Sequence, residues 1–122
     1  MSERVELRNG IIYQHADKIG LTVELLKEDL EALLIIQKEL KKQNLPFLML
    51  YDGSNVKKAD SAVRAQALYN MSNLDYKRVA VIGLKSVFIN QMAKFIIFGM
   101  RKQRKIKIFT SKDEAEIWLK NG

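Results

Sequence analysis

Pro46-Phe47-Leu48-Met49-Leu50-Tyr51-Asp52-Gly53 decides how the rest of the chain is arranged. It is a short, nearly all-apolar run closed by a turn dipeptide, the pattern of a central strand covered on both faces. Working towards the carboxyl end, a helix is predicted from about Asp60 to Asn73. A second buried strand follows at Arg78-Val79-Ala80-Val81-Ile82-Gly83, then a helix from about Val87 to Met100. Lys105-Ile106-Lys107-Ile108-Phe109 alternates as a strand. Strands and helices taking turns in this way imply right-handed crossovers and a parallel set of strands.

Working towards the amino end, Thr22 is placed to cap a long helix reaching about Gln43. Val23, Leu26, Leu30, Leu33, Leu34, Ile36 and Leu40 form its apolar stripe, and Glu24, Glu28, Glu31, Lys38 and Lys42 its charged face, with Ile35 stranded among the charges. Val5 to Arg8 alternates as a half-buried strand. Asn9-Gly10 is a strong hairpin signal because both positions tolerate positive φ, and Gly10 to Gln14 reads as the returning strand. At the other end Ser111-Lys112-Asp113-Glu114 is a capping box that opens a last helix carrying Ala115, Trp118 and Leu119. The order is β-β-α-β-α-β-α-β-α: one α/β domain over residues 1–122, with about five strands in a mixed sheet and about four helices. The opening hairpin supplies an antiparallel edge.

Composition narrows the chemistry. The 122 residues are 48% hydrophobic and 29% charged, ordinary for a globular domain. There is no cysteine, which excludes disulfides, thiolate catalysis and Cys-ligated metals. His15 is the single histidine. No run approaches the roughly 18 apolar residues of a membrane span, and no secretory signal is visible at Met1-Ser2-Glu3-Arg4, so a cytoplasmic location is expected. The net charge of +7 is uneven: residues 1–61 hold 9 Lys/Arg against 10 Asp/Glu, and residues 62–122 hold 12 against 4. Lys94, Arg101, Lys102, Arg104, Lys105 and Lys107 run without an acid between them. Such a run attracts anions, and it equally serves as a solvated face.

The strand ending at Asp52 and the helix start at Asp60-Ser61 resemble the STAS-domain proteins, the fold of the bacterial anti-anti-sigma factors, and especially a branch of small stand-alone STAS-like proteins. The resemblance covers about residues 5–120. In that family a strand ends in an Asp, a short loop follows, and an Asp-Ser-Ser/Thr-Gly motif opens the next helix; Asp52, Asp60 and Ser61 match at the same spacing. Phe109-Thr110-Ser111-Lys112-Asp113-Glu114-Ala115 is similar to the family's closing strand and helix start. The resemblance implies a STAS-like fold and a non-enzymatic regulatory role. The family's phosphorylated hydroxyl would fall at Ala62 and its following glycine at Val63, so the usual phospho-switch is absent here. Ser61, one place away, is an alternative acceptor; the plainer role of Asp60-Ser61 is to start the helix. Asp52, Ser54, Asp60, Ser61 and Ala62 therefore form the switch-loop equivalent.

Catalytic readings are weak. His15 with Asp17 could be written as an acid–base dyad, but no nucleophile or phosphate loop accompanies it. Asp52-Gly53-Ser54 reads first as a turn closed by the aspartate side chain. No catalytic residue, metal ligand or cofactor is expected. The helix from Val87 to Met100 is more informative. Phe88, Met92 and Phe95 lie on its core stripe, whereas Phe98 projects beside Lys94 and Arg101. One reading is a protein-binding module that docks a regulatory partner, or a second copy as a homodimer, on this helix or on the Asp52–Ser61 edge. Another is a binder of an amphipathic anion, lipid or anionic membrane surface through the same apolar and basic side chains. Nucleic-acid binding through the basic patch Arg101, Lys102, Arg104, Lys105 and Lys107 ranks last, because no aromatic is interleaved to stack bases.

Overall fold

The structure, a computed structural model, describes residues 3–85, 90, 91, 93, 94 and 105–121. Its elements are β1 (Val5–Arg8), β2 (Ile11–His15), α1 (Val23–Lys42), β3 (Leu48–Asp52), α2 (Ser61–Ser72), β4 (Arg78–Ile82), β5 (Ile106–Ile108) and α3 (Lys112–Lys120). Asn90, Gln91, Ala93 and Lys94 are helical, inside the stretch predicted from Val87 to Met100; the remainder of that stretch lies outside the described residues.

The five strands lie side by side in chain order. β1 pairs antiparallel with β2 through the Asn9-Gly10 turn, where φ is 54° and 80°, and β2 to β5 are parallel. Parallel strands laid down in one direction by crossovers of one hand put the crossover helices on the same face. Accordingly α1 buries Leu33, Ile36 and Leu40 with Ile12, Met49, Val79 and Ile106 of the sheet. On the far face, Ala115 and Leu119 of the short helix α3 pack with Ile11, Leu50, Ala80 and Ile82. Each fully buried aliphatic side chain of this kind contributes about 1.5–3 kcal/mol.

Several boundaries differ from the sequence reading for local reasons. Gly10 belongs to the turn, so β2 begins at Ile11. Phe47 is buried below the sheet ahead of β3, which extends through Asp52. β4 stops at Ile82 because Gly83 turns the chain at φ 79°, and β5 keeps only Ile106–Ile108. Leu34, expected in the core, is 39% exposed. At the helical pitch it falls about 120° from the centre of the buried arc, while Asp29 and Ala32 take inward positions instead. Ile35 is exposed, as its setting among charges suggested.

Asp29 is the unforeseen member of that arc: an aspartate only 3% exposed. Arg4, just before β1, reaches it with Nη2 at 3.0 Å and donates from Nε at 3.1 Å. Gln14 of β2 donates to its other oxygen at 3.1 Å. A buried carboxylate is tolerated only when paired and hydrogen-bonded. The hairpin and α1 are thus tied through one charge.

Removing one partner of such a pair typically costs about 3–5 kcal/mol, whereas an apolar replacement of both is often neutral. Arg4→Met is expected to lower the unfolding free energy by that amount in urea denaturation. The double variant Arg4→Met with Asp29→Leu is expected to recover most of it. A single variant as stable as the parent would show that the pair does not tie the hairpin down.

Candidate functional site

The segment from Asp52 to Ser61 leaves the carboxyl end of β3 and forms that edge of the sheet. Asp52 Oδ1 accepts from the Ser54 backbone N–H at 2.9 Å and from the Ser54 hydroxyl, so the side chain closes the turn on itself. The Gly53 N–H donates to the Ile82 carbonyl at 2.8 Å, fastening the turn to β4. Asn55 Nδ2 donates to the Ala16 carbonyl at 3.0 Å, fastening it to the segment after β2. Gly83 faces the same turn: a Cβ there would lie 2.5 Å from Asp52 Oδ1 and against Ser54 Oγ.

The loop then delivers α2. Asp60 caps it, Oδ1 accepting from the Val63 N–H at 2.9 Å, and the Arg64 guanidinium donates to the Ala59 carbonyl at 2.7 Å. Asp60 therefore does what a helix start requires. Ser61 and Ala62, the first two residues of α2, are exposed. Asp52, Ser54, Asp60, Ser61 and Ala62 are brought to one edge, with the carboxylate oxygens engaged by backbone and hydroxyl donors and the exposed pair at its tip. His15 is exposed at the end of β2. Asp17 Oδ1 accepts from the Ile19 N–H at 3.1 Å.

Beneath α2 is an apolar cavity of about 220 Å³, lined by Leu26 and Leu33 of α1, Met49 of β3 and Val63, Ala67 and Met71 of α2. Small side chains explain the space: Ala59, Ala67 and Ala93 all line it. Tyr51, Gln14, Asn70 and Arg64 supply its polar groups. Burial pushes the Tyr51 phenol well above its ordinary range, and the negative charges of Asp29 and Asp52 push it further. The phenol is a hydrogen-bond donor at neutral pH.

Of the surface predicted on the helix from Val87 to Met100, Lys94 is helical and exposed. Phe88, Met92, Phe95, Phe98 and Arg101 lie outside the described residues, as do Lys102 and Arg104 of the basic patch. Lys105 and Lys107 are exposed. Lys107 lies 5.5 Å from the Trp118 ring centroid and Arg78 lies 4.7 Å from it. Tyr51 and Gly83 were missed as members of the site. Gly83 ended a predicted strand, yet only the β3–β4 register brings it to Asp52. Asp29 did leave a signal, since it stands three residues after Leu26 and four before Leu33.

A family model described as SpoIIAA-like matches residues 17–120, and the chain belongs to that family. No curated protein matches it.

The close packing of Gly83 on the turn makes it the most exacting position of the loop. Gly83→Ala adds a Cβ both at positive φ and into the Asp52–Ser54 pair, and the φ penalty alone is roughly 1–2 kcal/mol. A loss of at least that size in urea denaturation is expected, with amide shifts concentrated at residues 52–56. A neutral substitution would mean that the turn is not held from β4.

Proposed function

We propose that this SpoIIAA-like chain is a non-enzymatic regulatory module that docks a protein partner on the Asp52–Ser61 edge and the start of α2. The observation that carries the reading is the state of that edge. Asp52, Ser54, Asn55 and Asp60 spend their polar atoms holding the loop in place, and Ser61 and Ala62 stand exposed beyond it. A loop ordered this way presents a preformed surface, which lowers the cost of association. Where the family's phosphorylated hydroxyl would fall there is the methyl group of Ala62, so docking at this edge is not switched by phosphate on that residue.

Ala62→Glu tests the reading. A carboxylate in the first turn suits the helix dipole, so the fold is retained, but it imposes a charge on the proposed surface. In affinity capture from the native host, the parent and a control with the exposed α1 residue Lys38→Glu are expected to recover the same partner and Ala62→Glu to lose it. Identical recovery by all three, or no partner for any, would refute docking at this edge.

The apolar cavity under α2 favours a second reading, an amphipathic anionic ligand. An apolar cavity of about 150 Å³ already admits benzene and excludes water, and this one is about 220 Å³ with Arg64 at its wall. Octanoate is expected to shift the NMR signals of Ala67 and Tyr51 saturably, and Ala67→Met, which fills the space, to abolish the effect. Shifts that survive the filled cavity would place the fatty acid elsewhere.

A further inference from the structure

A second cavity, of about 350 Å³, lies at the opposite end of the sheet, where Phe47, Lys77 and Lys105 precede the parallel strands and meet the last turns of α1. Leu40, Leu45 and Phe47 give it apolar walls. Among the described residues its charged groups are Lys41, Lys77 and Lys105 against Asp75. Lys41 is 3.5 Å from the Asp75 carboxylate; among the described residues Lys77 and Lys105 have no ion pair, so two cations are uncompensated.

Tyr76 is the telling residue. It is 5% exposed, and its hydroxyl is buried without a hydrogen-bond partner. Buried polar groups are nearly always satisfied, and one left over calls for a reason. Burial also pushes the phenol above its ordinary range, so at neutral pH it has a proton to donate. The Lys105 ammonium stands 5.9 Å from the centre of the same ring. The carbonyl end of α1, whose partial negative charge would repel an anion, is covered: the N–H groups of Gln43, Asn44 and Leu45 donate to its last carbonyls.

We propose that this cavity binds a small organic anion, a phosphate or carboxylate joined to a compact apolar body. Tyr76 donates to an oxygen of the anion, Lys77 and Lys105 meet its charge, and the apolar body rests against Leu40, Leu45 and Phe47. Among the described residues the site shares no lining residue with the cavity under α2, and it stands apart from the docking edge at the other end of the strands.

Phenyl phosphate and benzoate, titrated separately into the full chain and followed by NMR at the Lys77 amide and the Tyr76 ring, distinguish the two head groups. At least one is expected to shift both signals saturably. Tyr76→Phe and Lys105→Gln are each expected to weaken that binding roughly tenfold, the scale of one hydrogen bond or charge contact to an anion. Tyr76→Phe removes only the unpartnered hydroxyl, so its thermal stability is expected to equal or exceed the parent's, which separates a lost ligand contact from a damaged fold. The proposal is overturned if neither anion shifts these signals, if both variants bind as the parent does, or if uncharged benzyl alcohol binds as tightly.

Discussion

Asp29 projects from the middle of the apolar arc of α1, and its neighbours are placed so that its charge is met. An ionised carboxylate in that position is costly unless a cation and further donors reach it. Arg4 and Gln14 both do; Gln14 lies in β2, and Arg4 directly precedes β1. The antiparallel edge strand therefore has a second reason to exist beyond extending the sheet, since β1 positions the guanidinium over α1. The His15 N–H donating to the Arg4 carbonyl at 3.0 Å carries the pairing one step past β1 and holds that backbone still.

With the hairpin anchored, the remaining strands are added in one direction, and that simple order produces an asymmetric molecule. Among the described residues, one face carries α1 and α2, and the other the nine residues of α3. The two cavities follow from how the thick side is filled. Under α2, alanines at 59 and 67 leave room that larger side chains would take. At the amino-terminal ends of the strands, lysines join Leu40, Leu45 and Phe47 around the space. The carboxyl-terminal edge is built differently again. Its loop is crossed by hydrogen bonds to β4 and to the segment after β2, and it offers a firm surface in place of a hole.

Much of this was legible in the chain because the signals are local. Thr22, Asp60 and Ser111 each cap the helix they were expected to start, accepting from the N–H three residues on. Asn9-Gly10 makes its hairpin for reasons contained in two residues. What was illegible depends on elements distant in sequence. Asp29 was assigned to neither face of the long helix, and its partner lies 25 residues away across a sheet edge. Gly83 seemed to be a strand terminator; that its missing side chain admits Asp52 and Ser54 follows from β3 and β4 being adjacent and in register. Leu34 fitted the period of its neighbours loosely enough to be misplaced, because the true centre of the buried arc was displaced towards Asp29. Of the site itself, the switch-loop residues were named through the resemblance to a family motif, and the fold brings them to one edge. Tyr51 was not, since an apolar run hides which of its members has a polar end in need of company; nor was Tyr76 of the second cavity, which stands between Asp75 and Lys77 and carries no pattern of its own.

Trp118 is the chain's one tryptophan. It is tilted against Phe109 with ring centres 5.5 Å apart, with Arg78 and Lys107 both set over its ring. Its indole is therefore an intrinsic optical label confined to the thin side of the sheet. Cations above an aromatic ring alter its emission, so fluorescence follows the seating of α3 alone, while far-ultraviolet circular dichroism is dominated by the 20-residue α1 on the thick side. Coincident transitions from the two signals mean that both faces melt as one cooperative unit. An earlier fluorescence change means that the short helix lifts first, uncovering Ile11, Leu50 and Ile82 while the rest of the molecule stays folded.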